Sequence, residues 1–353
     1  MVRRSPLVLA ILAACGGASP AVQTAPLPDD PSPAAPVATG SASASAPGGA
    51  SASGSASASG GASAGTAAPA GPSAPGPAAS QAIAPVERTI PAVASTVKLV
   101  SGGTGKKAAL RYVARPGKQP IELALDFSGE QDTQREVLPT LVLRGDVDVR
   151  DVSADGSAQY VYAVTAADAR PVAGAVVSIE QFKTVANRLT GLTITGRRSA
   201  TGVPGEVTLR LEEPAERSAE ALELVRLTLP VLPVLPVEPV GVGAKWQVST
   251  PAKLADRLDV TQITDYEVIG RKAAAWTIRG TTRVVGKDQE LEGSPITAIG
   301  GTGTSELVLS EAARHPTYRA TLQTQFTASA KDASAQFVLK VGGAVGPRAP
   351  AAK

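Results

Sequence analysis

An alternation of apolar and polar residues dominates the chain after about residue 93 and limits what that part can fold into. In the segment YRATLQTQFTA (residues 318–328), Tyr318, Leu322 and Phe326 share one face, whereas Gln323 lies on the other. A period of two residues is that of a β-strand, whose successive side chains point to opposite faces. Because one face is polar, the pattern predicts antiparallel sheet with one face packed and the other in water.

The same alternation recurs in several other segments. In WTIRGTTRVV, Trp276 and Ile278 share a face that is opposite to Arg279. IELALDF, GEVTLRLE and AQFVLKV show it as well. We therefore expect Trp276, Ile278, Leu322 and Phe326 to point inward and Arg279 and Gln323 to point into water.

Aromatic residues make up only 3% of the chain, so the few that occur on apolar faces identify the interior. An apolar interior is either a packed core or a cavity that holds a ligand, and the pattern does not separate the two. The candidate lining residues are Trp246, Trp276, Ile278, Tyr318, Leu322 and Phe326.

Two segments break the alternation and predict helices. In SIEQFKTVANRL, apolar residues recur at helical spacing, and Ser178 with Gln181 forms a capping box. In SAEALELVRLTLP, Ser218 is the expected N-cap and Pro230 the stop. The order of strands and helices is not a regular alternation, so we expect a mostly β member of the α+β class, in which about two helices cover a strongly curved antiparallel sheet.

A long stretch near the N-terminus is built almost wholly from Ala, Ser, Gly, Pro and Thr. Such a composition has too few large apolar side chains to offset the entropy of ordering. We therefore expect a disordered tether over residues 15–84, a β-rich globular domain over residues 85–345, and a short disordered tail over residues 346–353.

The first fifteen residues combine a positive start, an apolar run and small side chains before the single cysteine. The tetrapeptide Leu12-Ala13-Ala14-Cys15 resembles the lipobox of bacterial lipoproteins. The resemblance implies that residues 1–14 are a signal peptide that is removed and that Cys15 carries acyl chains in a membrane. The following residue, Gly16, is not Asp, which implies the outer membrane by the best-known sorting rule. An ordinary secretory signal with an incidental cysteine, or a short buried apolar segment, is the alternative.

A second resemblance lies between the predicted second helix and the long C-terminal strands. Pro236, Val240, Gly241, Gly243 and Trp246 form a Pro-x-x-x-Val-Gly-x-Gly-x-x-Trp segment that resembles one in an uncharacterised family of bacterial lipoproteins. The architecture over about residues 95–342 is also similar to periplasmic lipid-handling half-barrels, in which a curved sheet wraps around helices. This likeness implies a half-barrel-like sheet and carries no activity.

No catalytic or metal-binding constellation is predicted. His315 is the only histidine and precedes Pro316 at an expected turn, and Cys15 is assigned to lipid, so a zinc site of the His/Cys kind is not expected. Residues 151–162 partly match a calcium loop, but Asp155-Gly156 between two strand-like runs favours a hairpin. The Arg-Gly-Asp tripeptide at 144–146 lies in a strand-like run, and we expect the glycine-rich GGTGTSE to connect two strands.

The charge balance argues against a nucleic-acid partner. The net charge is +3, and removal of the signal peptide with its two arginines leaves 32 basic against 31 acidic residues. We expect a non-enzymatic envelope lipoprotein, without cofactor or metal, held at a membrane through Cys15 and binding an apolar ligand or an envelope protein. A structural or surface-display role without ligand, and an enzyme that uses carboxylates alone, stay open as alternatives.

The lipobox gives a first prediction. The mature protein should begin at Cys15 and carry added acyl mass, because the residues before Cys15 supply the charge, apolar run and small side chains that processing requires. Mass spectrometry of the protein from envelopes measures this directly. Cys15→Ala should abolish processing and membrane retention, and a variant that stayed processed and membrane-bound would contradict the anchor.

Overall fold

The computed structural model describes residues 84–254, 256–330 and 333–348. The predicted signal peptide, Cys15 and the predicted tether up to residue 83 lie outside these ranges, as do residues 349–353. The strands are β1 Val86–Ile90, β2 Thr96–Ser101, β3 Thr104–Ala108, β4 Gly117–Gln131, β5 Gln134–Val137, β6 Thr140–Arg150, β7 Ala158–Arg170, β8 Thr193–Arg198, β9 Pro204–Leu211, β10 Val240–Val242, β11 Lys245–Leu254, β12 Leu258–Lys272, β13 Ala275–Gly286, β14 Gln289–Leu291, β15 Ser294–Ser310, β16 Thr317–Ala330 and β17 Ala333–Pro347. The helices are α1 Ile179–Asn187 and α2 Ser218–Thr228.

One antiparallel sheet organises the described residues, and it confirms the prediction of a mostly β, α+β fold with two helices. The main path of the sheet runs β1-β9-β8-β7-β6-β4-β17-β16-β15-β13-β12-β11-β2. In addition, β5 pairs with β4 and β14 with β15, while β3 and β10 form a separate two-stranded pair. Among the described residues, neither helix is long and apolar enough to cross a membrane.

The connection between β1 and β2 requires the sheet to curl. These two strands lie at opposite ends of the main path, so twelve interstrand spacings, roughly 58 Å in a flat sheet, would separate them. The chain that joins them, residues 91–95, spans at most about 21 Å between Ile90 and Thr96. The sheet therefore bends back until its two edges lie near each other, although β1 pairs with β9 and β2 with β11 rather than with one another.

The helices fill part of the space that the curl encloses. Phe182 and Ala186 of α1 and Leu222 and Val225 of α2 belong to the main hydrophobic core. The apolar segment after α2, residues 229–237, continues into the same core, and we call it the strap. Its Val234 accepts a hydrogen bond from the Trp246 indole at 2.9 Å, and the backbone N–H of Leu235 donates to Thr201 in the β8–β9 turn at 2.7 Å.

The predicted helix caps are right for α1 and wrong for α2. The capping box of α1 is present, because Ser178 and Gln181 exchange side-chain and backbone hydrogen bonds. The N-cap of α2 is Arg217, in the left-handed region with φ 64°, and it makes no side-chain cap. Ser218 does not cap because its buried hydroxyl instead accepts the N–H of Ala215. The helix ends at Thr228, two residues before Pro230.

Two further expectations are corrected at the C-terminal strands. The glycine-rich segment 300–306 lies inside the long strand β15 and does not connect strands. A side chain at Gly301 would lie 2.4 Å from the carbonyl oxygen of Gln323, so glycine there allows β15 and β16 to approach closely. At the C-terminal end, β17 runs to Pro347, because Gly346 and Pro347 pair with β4; these two residues were expected in the disordered tail.

A glycine in β6 gives the second prediction. A Cβ atom at Gly145 would lie 1.9 Å from the carbonyl oxygen of Ala163, at the point where the register of β6 and β7 shifts. Gly145→Ala should therefore lower the free energy of unfolding by about 2 to 3 kcal/mol, as overpacking does. Urea unfolding followed by far-UV circular dichroism measures the change.

Gly270 provides the matched control for this prediction. It also lies within a long strand, β12, but nothing lies within 4 Å of an added Cβ there. Gly270→Ala should change the stability by no more than about 0.5 kcal/mol. Equal effects of the two substitutions would mean that strand propensity, and not the close approach at Gly145, sets the cost.

Candidate functional site

The candidate site is the inner face of the curled sheet, which we define as the face that carries Trp276, Ile278 and Tyr318. The alternation places the inward and outward residues as expected: Arg279 and Gln323 are exposed on the opposite face. Between the register shifts at residues 268–270 of β12 and 297–300 of β15, the pairings of β12, β13, β15 and β16 align Ile278 and Tyr318 in one row across the four strands. The inner face can therefore be followed row by row along the strands.

Four of the six predicted lining residues form packed core. Trp246, Trp276, Ile278 and Tyr318 are each at most 4% exposed and belong to one cluster with α1, α2 and the strap. The ring of Trp246 stacks on Tyr266 with centroids 5.3 Å apart, and its indole N–H is satisfied by Val234. Helix and strap side chains occupy the space in front of these residues, so this half of the inner face is filled from within the chain.

Buried hydroxyl groups on four neighbouring strands lie on the inner face beside this core. We call Thr264, Thr282, Ser305 and Thr324 the hydroxyl belt; each is at most 8% exposed. The hydroxyls of Thr264 and Thr282 are 2.9 Å apart and hydrogen-bond to each other. Burial raises the pKa of the neighbouring Tyr318 to about 12, an effect that the Ser305 hydroxyl partly offsets, so the phenol stays neutral at physiological pH.

Beyond the belt, the inner face carries a second apolar cluster that is made of strands alone. Its buried members, which we call the distal cluster, are Leu258, Val260, Val284, Ile296 and Ile299. All residues packed against it, including Leu322 and Phe326, also come from β11 to β16. No residue of either helix or of the strap belongs to it.

Leu322 and Phe326 differ in this respect from the other four predicted residues. Both are only half-buried, and they line the edge of the distal cluster. Phe326 stacks on Phe337 of β17 with ring centroids 5.1 Å apart, and Phe337 is half-buried too. Leu339 follows on the same face of β17, opposite Thr324. An apolar strip with contact to water thus continues from the distal cluster onto β17.

Phe337 and Leu339 were missing from the predicted lining. The alternation in AQFVLKV places both on one face, so the signal was present in the sequence. Which face of the sheet they share follows only from the pairing of Phe337 with Phe326 and of Leu339 with Thr324. That pairing between neighbouring strands identifies them as part of the same strip.

The motif-like segments have structural roles. Residues 151–157 form the β6–β7 turn, in which Asp155 accepts the N–H of Ser157 at 2.9 Å and Gly156 has φ 78°. Among the residues that the structure describes, no group of three or more His, Cys, Asp and Glu side chains is placed to hold a metal ion. In segment 236–246, Trp246 holds the strap through Val234, and Gly241 lies against the backbone of Thr104.

The outer face has a groove of about 380 Å³ whose carboxylates are ion-paired. Glu306 pairs with Arg319 at 3.1 Å, and Glu122 pairs with Arg144 and Arg170. Partial burial acts to raise the pKa of Glu122, but hydrogen bonds from Arg170 and Arg144 hold it below its ordinary value. Both acids therefore have cationic partners, and the lowered pKa of Glu122 favours its ionised form and not a proton donor.

His315 lies in the β15–β16 turn, as predicted. Its Nδ1 atom is 2.9 Å from the carbonyl oxygen of Pro316, which can only accept, so Nδ1 carries the proton. Burial, together with the positive charge of Arg198, lowers the pKa of His315 to about 3. The ring is therefore neutral at physiological pH.

No protein-family model, curated protein or solved structure matches this chain. The strip formed by Leu322, Phe326, Phe337 and Leu339 is a part of the inner face on which large apolar side chains keep contact with water. It is therefore the feature from which a binding function is inferred.

His315 gives the third prediction. Below pH 6.5 the unfolded chain takes up a proton on His315 that the folded chain does not take up until about pH 3. This histidine should therefore lower the free energy of unfolding as the pH falls through that window, by about 1 to 2 kcal/mol between pH 7 and pH 5. Urea unfolding at the two pH values measures the loss.

The variant His315→Gln separates this contribution from those of other groups. Glutamine has no charge to gain, so the difference in stability between pH 7 and pH 5 should shrink by the amount that His315 contributes. An unchanged difference would show that His315 is protonated as readily in the folded chain as in the unfolded one.

Proposed function

We propose that this chain is a lipid-anchored protein of the bacterial cell envelope whose β-rich domain binds an apolar ligand, such as the acyl chain of a lipid, without catalysing a reaction. The anchor is Cys15, and the outer membrane is the expected site. The binding surface is the strip that leads from the distal cluster across Leu322, Phe326 and Phe337 to Leu339.

The uneven covering of the inner face is the observation that carries the proposed binding. The helices and the strap pack against one half, whereas the distal cluster is covered by strands alone. Apolar side chains that stay half-exposed on a curved surface gain free energy when a ligand removes them from water, at about 25 cal/mol per Å². An aromatic pair such as Phe326 and Phe337 adds a flat surface against which an acyl chain packs.

The sequence supports the envelope location. The residues before Cys15 resemble a lipobox, and the following stretch of small residues is long enough to hold a domain away from a membrane surface. A lipid anchor also keeps the binding surface close to a supply of acyl chains. Two or more acyl chains hold a protein stably, whereas one chain binds only marginally.

A structural or surface-display role is the second candidate. It is favoured by the dense packing around Trp246, Trp276, Ile278 and Tyr318. In this half of the interior, the chain's own side chains fill the space that a ligand would need. In this role the half-buried strip would simply be the margin of a small second core.

The fourth prediction separates these two roles. The full chain with Cys15→Ala, which carries no lipid of its own, should bind the fluorescent fatty acid cis-parinaric acid. Phe326→Glu in this background should weaken the binding at least tenfold, because a carboxylate would then lie in the apolar strip. Fluorescence titration measures the affinity, and circular dichroism checks that the variant folds.

Gln325→Glu is the matched control, because Gln325 is exposed on the opposite face of the same strand. It adds the same charge and should leave the affinity within twofold. If Phe326→Glu does not fold, Leu322→Gln tests the same strip with a smaller change. Absence of binding by the parent chain, together with no lipid in organic extracts of the protein from native envelopes, would favour the display role.

A further inference from the structure

Arg198, the last residue of β8, is held between two tyrosine rings. The central carbon of its guanidinium lies 4.4 Å from the centroid of the Tyr112 ring and 4.2 Å from that of the Tyr160 ring. Both distances are well within the range of cation–π attraction. The two rings therefore orient the plane of the guanidinium and restrict the motion of the side chain.

This guanidinium has no anionic partner within the described ranges. None of the ion pairs there includes Arg198, and its Nε–H is buried without a hydrogen-bond acceptor. A guanidinium offers five N–H donors, and a buried charge without a partner is unfavourable. Two tyrosine faces compensate part of this cost but accept no conventional hydrogen bond.

The surroundings of Arg198 are rigid. Tyr112 is 3% exposed, and its hydroxyl donates to the carbonyl oxygen of Pro233 at 2.7 Å. Its backbone N–H donates to Ala200 at 2.8 Å, which ties the ring to the β8–β9 turn. A Cβ atom at Gly202 would lie 2.5 Å from the Tyr112 ring, so glycine leaves the space in which that ring sits. The Tyr112 ring is thus held in place by contacts within the chain.

The turn that carries His315 adds to this arrangement. The Gln119 side-chain oxygen accepts the backbone N–H groups of Arg314 and His315 at 2.8 and 3.1 Å, which fixes the turn against β4. The charge of Arg198 acts on His315 and on Tyr112, and no carboxylate contributes to the shifted pKa of either residue. The Arg198 charge itself has no carboxylate partner among the ion pairs of the described residues.

Part of the Arg198 side chain remains exposed, although Nε is not. We propose that Arg198, clamped between Tyr112 and Tyr160, binds an oxyanion of a ligand, either a carboxylate or a phosphate. A planar guanidinium donates two parallel hydrogen bonds to such a group. Because the two rings already hold the guanidinium, it loses little conformational freedom when the anion binds. An incoming anion supplies the acceptors and the countercharge that the described chain does not.

This site is separate from the apolar strip. The turn that carries His315 ends at Thr317, the first residue of β16, whereas Phe326 lies nine residues farther along that strand, about 30 Å away at 3.4 Å per residue. Loss of one binding function therefore leaves the other intact, and the two are tested independently.

The fifth prediction concerns binding of simple anions. The full chain with Cys15→Ala should bind inorganic phosphate or acetate, detected by isothermal titration calorimetry and by a shift of the Arg198 Nε–H resonance in NMR spectra. Arg198→Gln should weaken the binding at least tenfold, because it removes both the charge and the fork. Arg198→Lys, which keeps the charge but not the planar fork, should lie between the two.

Arg197→Gln is the matched control. Arg197 is the preceding residue of the same strand and is exposed on the other face, so the substitution makes the same change of charge without touching the clamp. It should leave the affinity within twofold. Dihexanoyl phosphatidate, used below the concentration at which it forms micelles, tests a lipid headgroup as the source of the phosphate. If it binds more tightly than inorganic phosphate, the site is assigned to a lipid. If the two bind equally, the site is assigned to a free anion.

Equal anion binding by the parent chain, Arg198→Gln and Arg197→Gln would overturn the assignment. The assignment would also be overturned if the parent chain bound none of the three probes, which are inorganic phosphate, acetate and dihexanoyl phosphatidate. If Arg198→Gln does not fold, the comparison of Arg198→Lys with the parent chain decides in its place.

Discussion

The five residues between β1 and β2 impose the constraint on which the rest of the structure depends. They join strands at opposite ends of the main sheet, and a flat sheet would place those ends much farther apart than the link reaches. The sheet has to bend, so strands must approach each other closely on the inside of the curve. Gly145 and Gly301, where a side chain would collide with the neighbouring backbone, stand at such positions.

The curl divides the inner face into two halves with different occupants. Helix α2 and the strap enter from one side, and the strap links the β8–β9 turn to Trp246 of β11 through adjacent residues. The hydroxyl belt marks the limit of this packing. Beyond it the strands cover only one another, and apolar side chains of β16 and β17 remain half-exposed.

Strands and helices could be predicted from the sequence because their signals are local. Period-two alternation identified the strands around Trp276 and Phe326 and the face that each presents, and the capping box at Ser178 identified α1. The predicted N-cap of α2 was wrong because the Ser218 hydroxyl accepts a hydrogen bond from Ala215, which lies outside the helix. The prediction that the glycine-rich segment of β15 connects two strands was wrong. Glycine occurs there because β16 approaches β15 closely, which the sequence of β15 alone does not indicate.

The two binding surfaces were harder to predict, because each combines residues that are distant along the chain. Phe337 joins the strip only through its pairing with Phe326. The clamp around Arg198 unites a loop residue, Tyr112, with Tyr160 of β7, and no spacing in the sequence indicates that the two rings lie on either side of one guanidinium. Alternation predicts which side of a strand faces the core, but it does not predict which strands are neighbours.

The link between β1 and β2 also has a consequence for the order of folding. The first two strands to leave the ribosome pair with β9 and β11, whose residues follow much later in the chain: Val86 pairs with Leu211, and Leu99 pairs with Trp246. Neither early strand has a partner until about half of the domain or more has been synthesised or exported. Pairings between such distant residues form slowly, because a long loop must close before they contribute. Both edges of the sheet are therefore completed late, and the nascent domain passes through a stage in which β9 and β11 are its open edges.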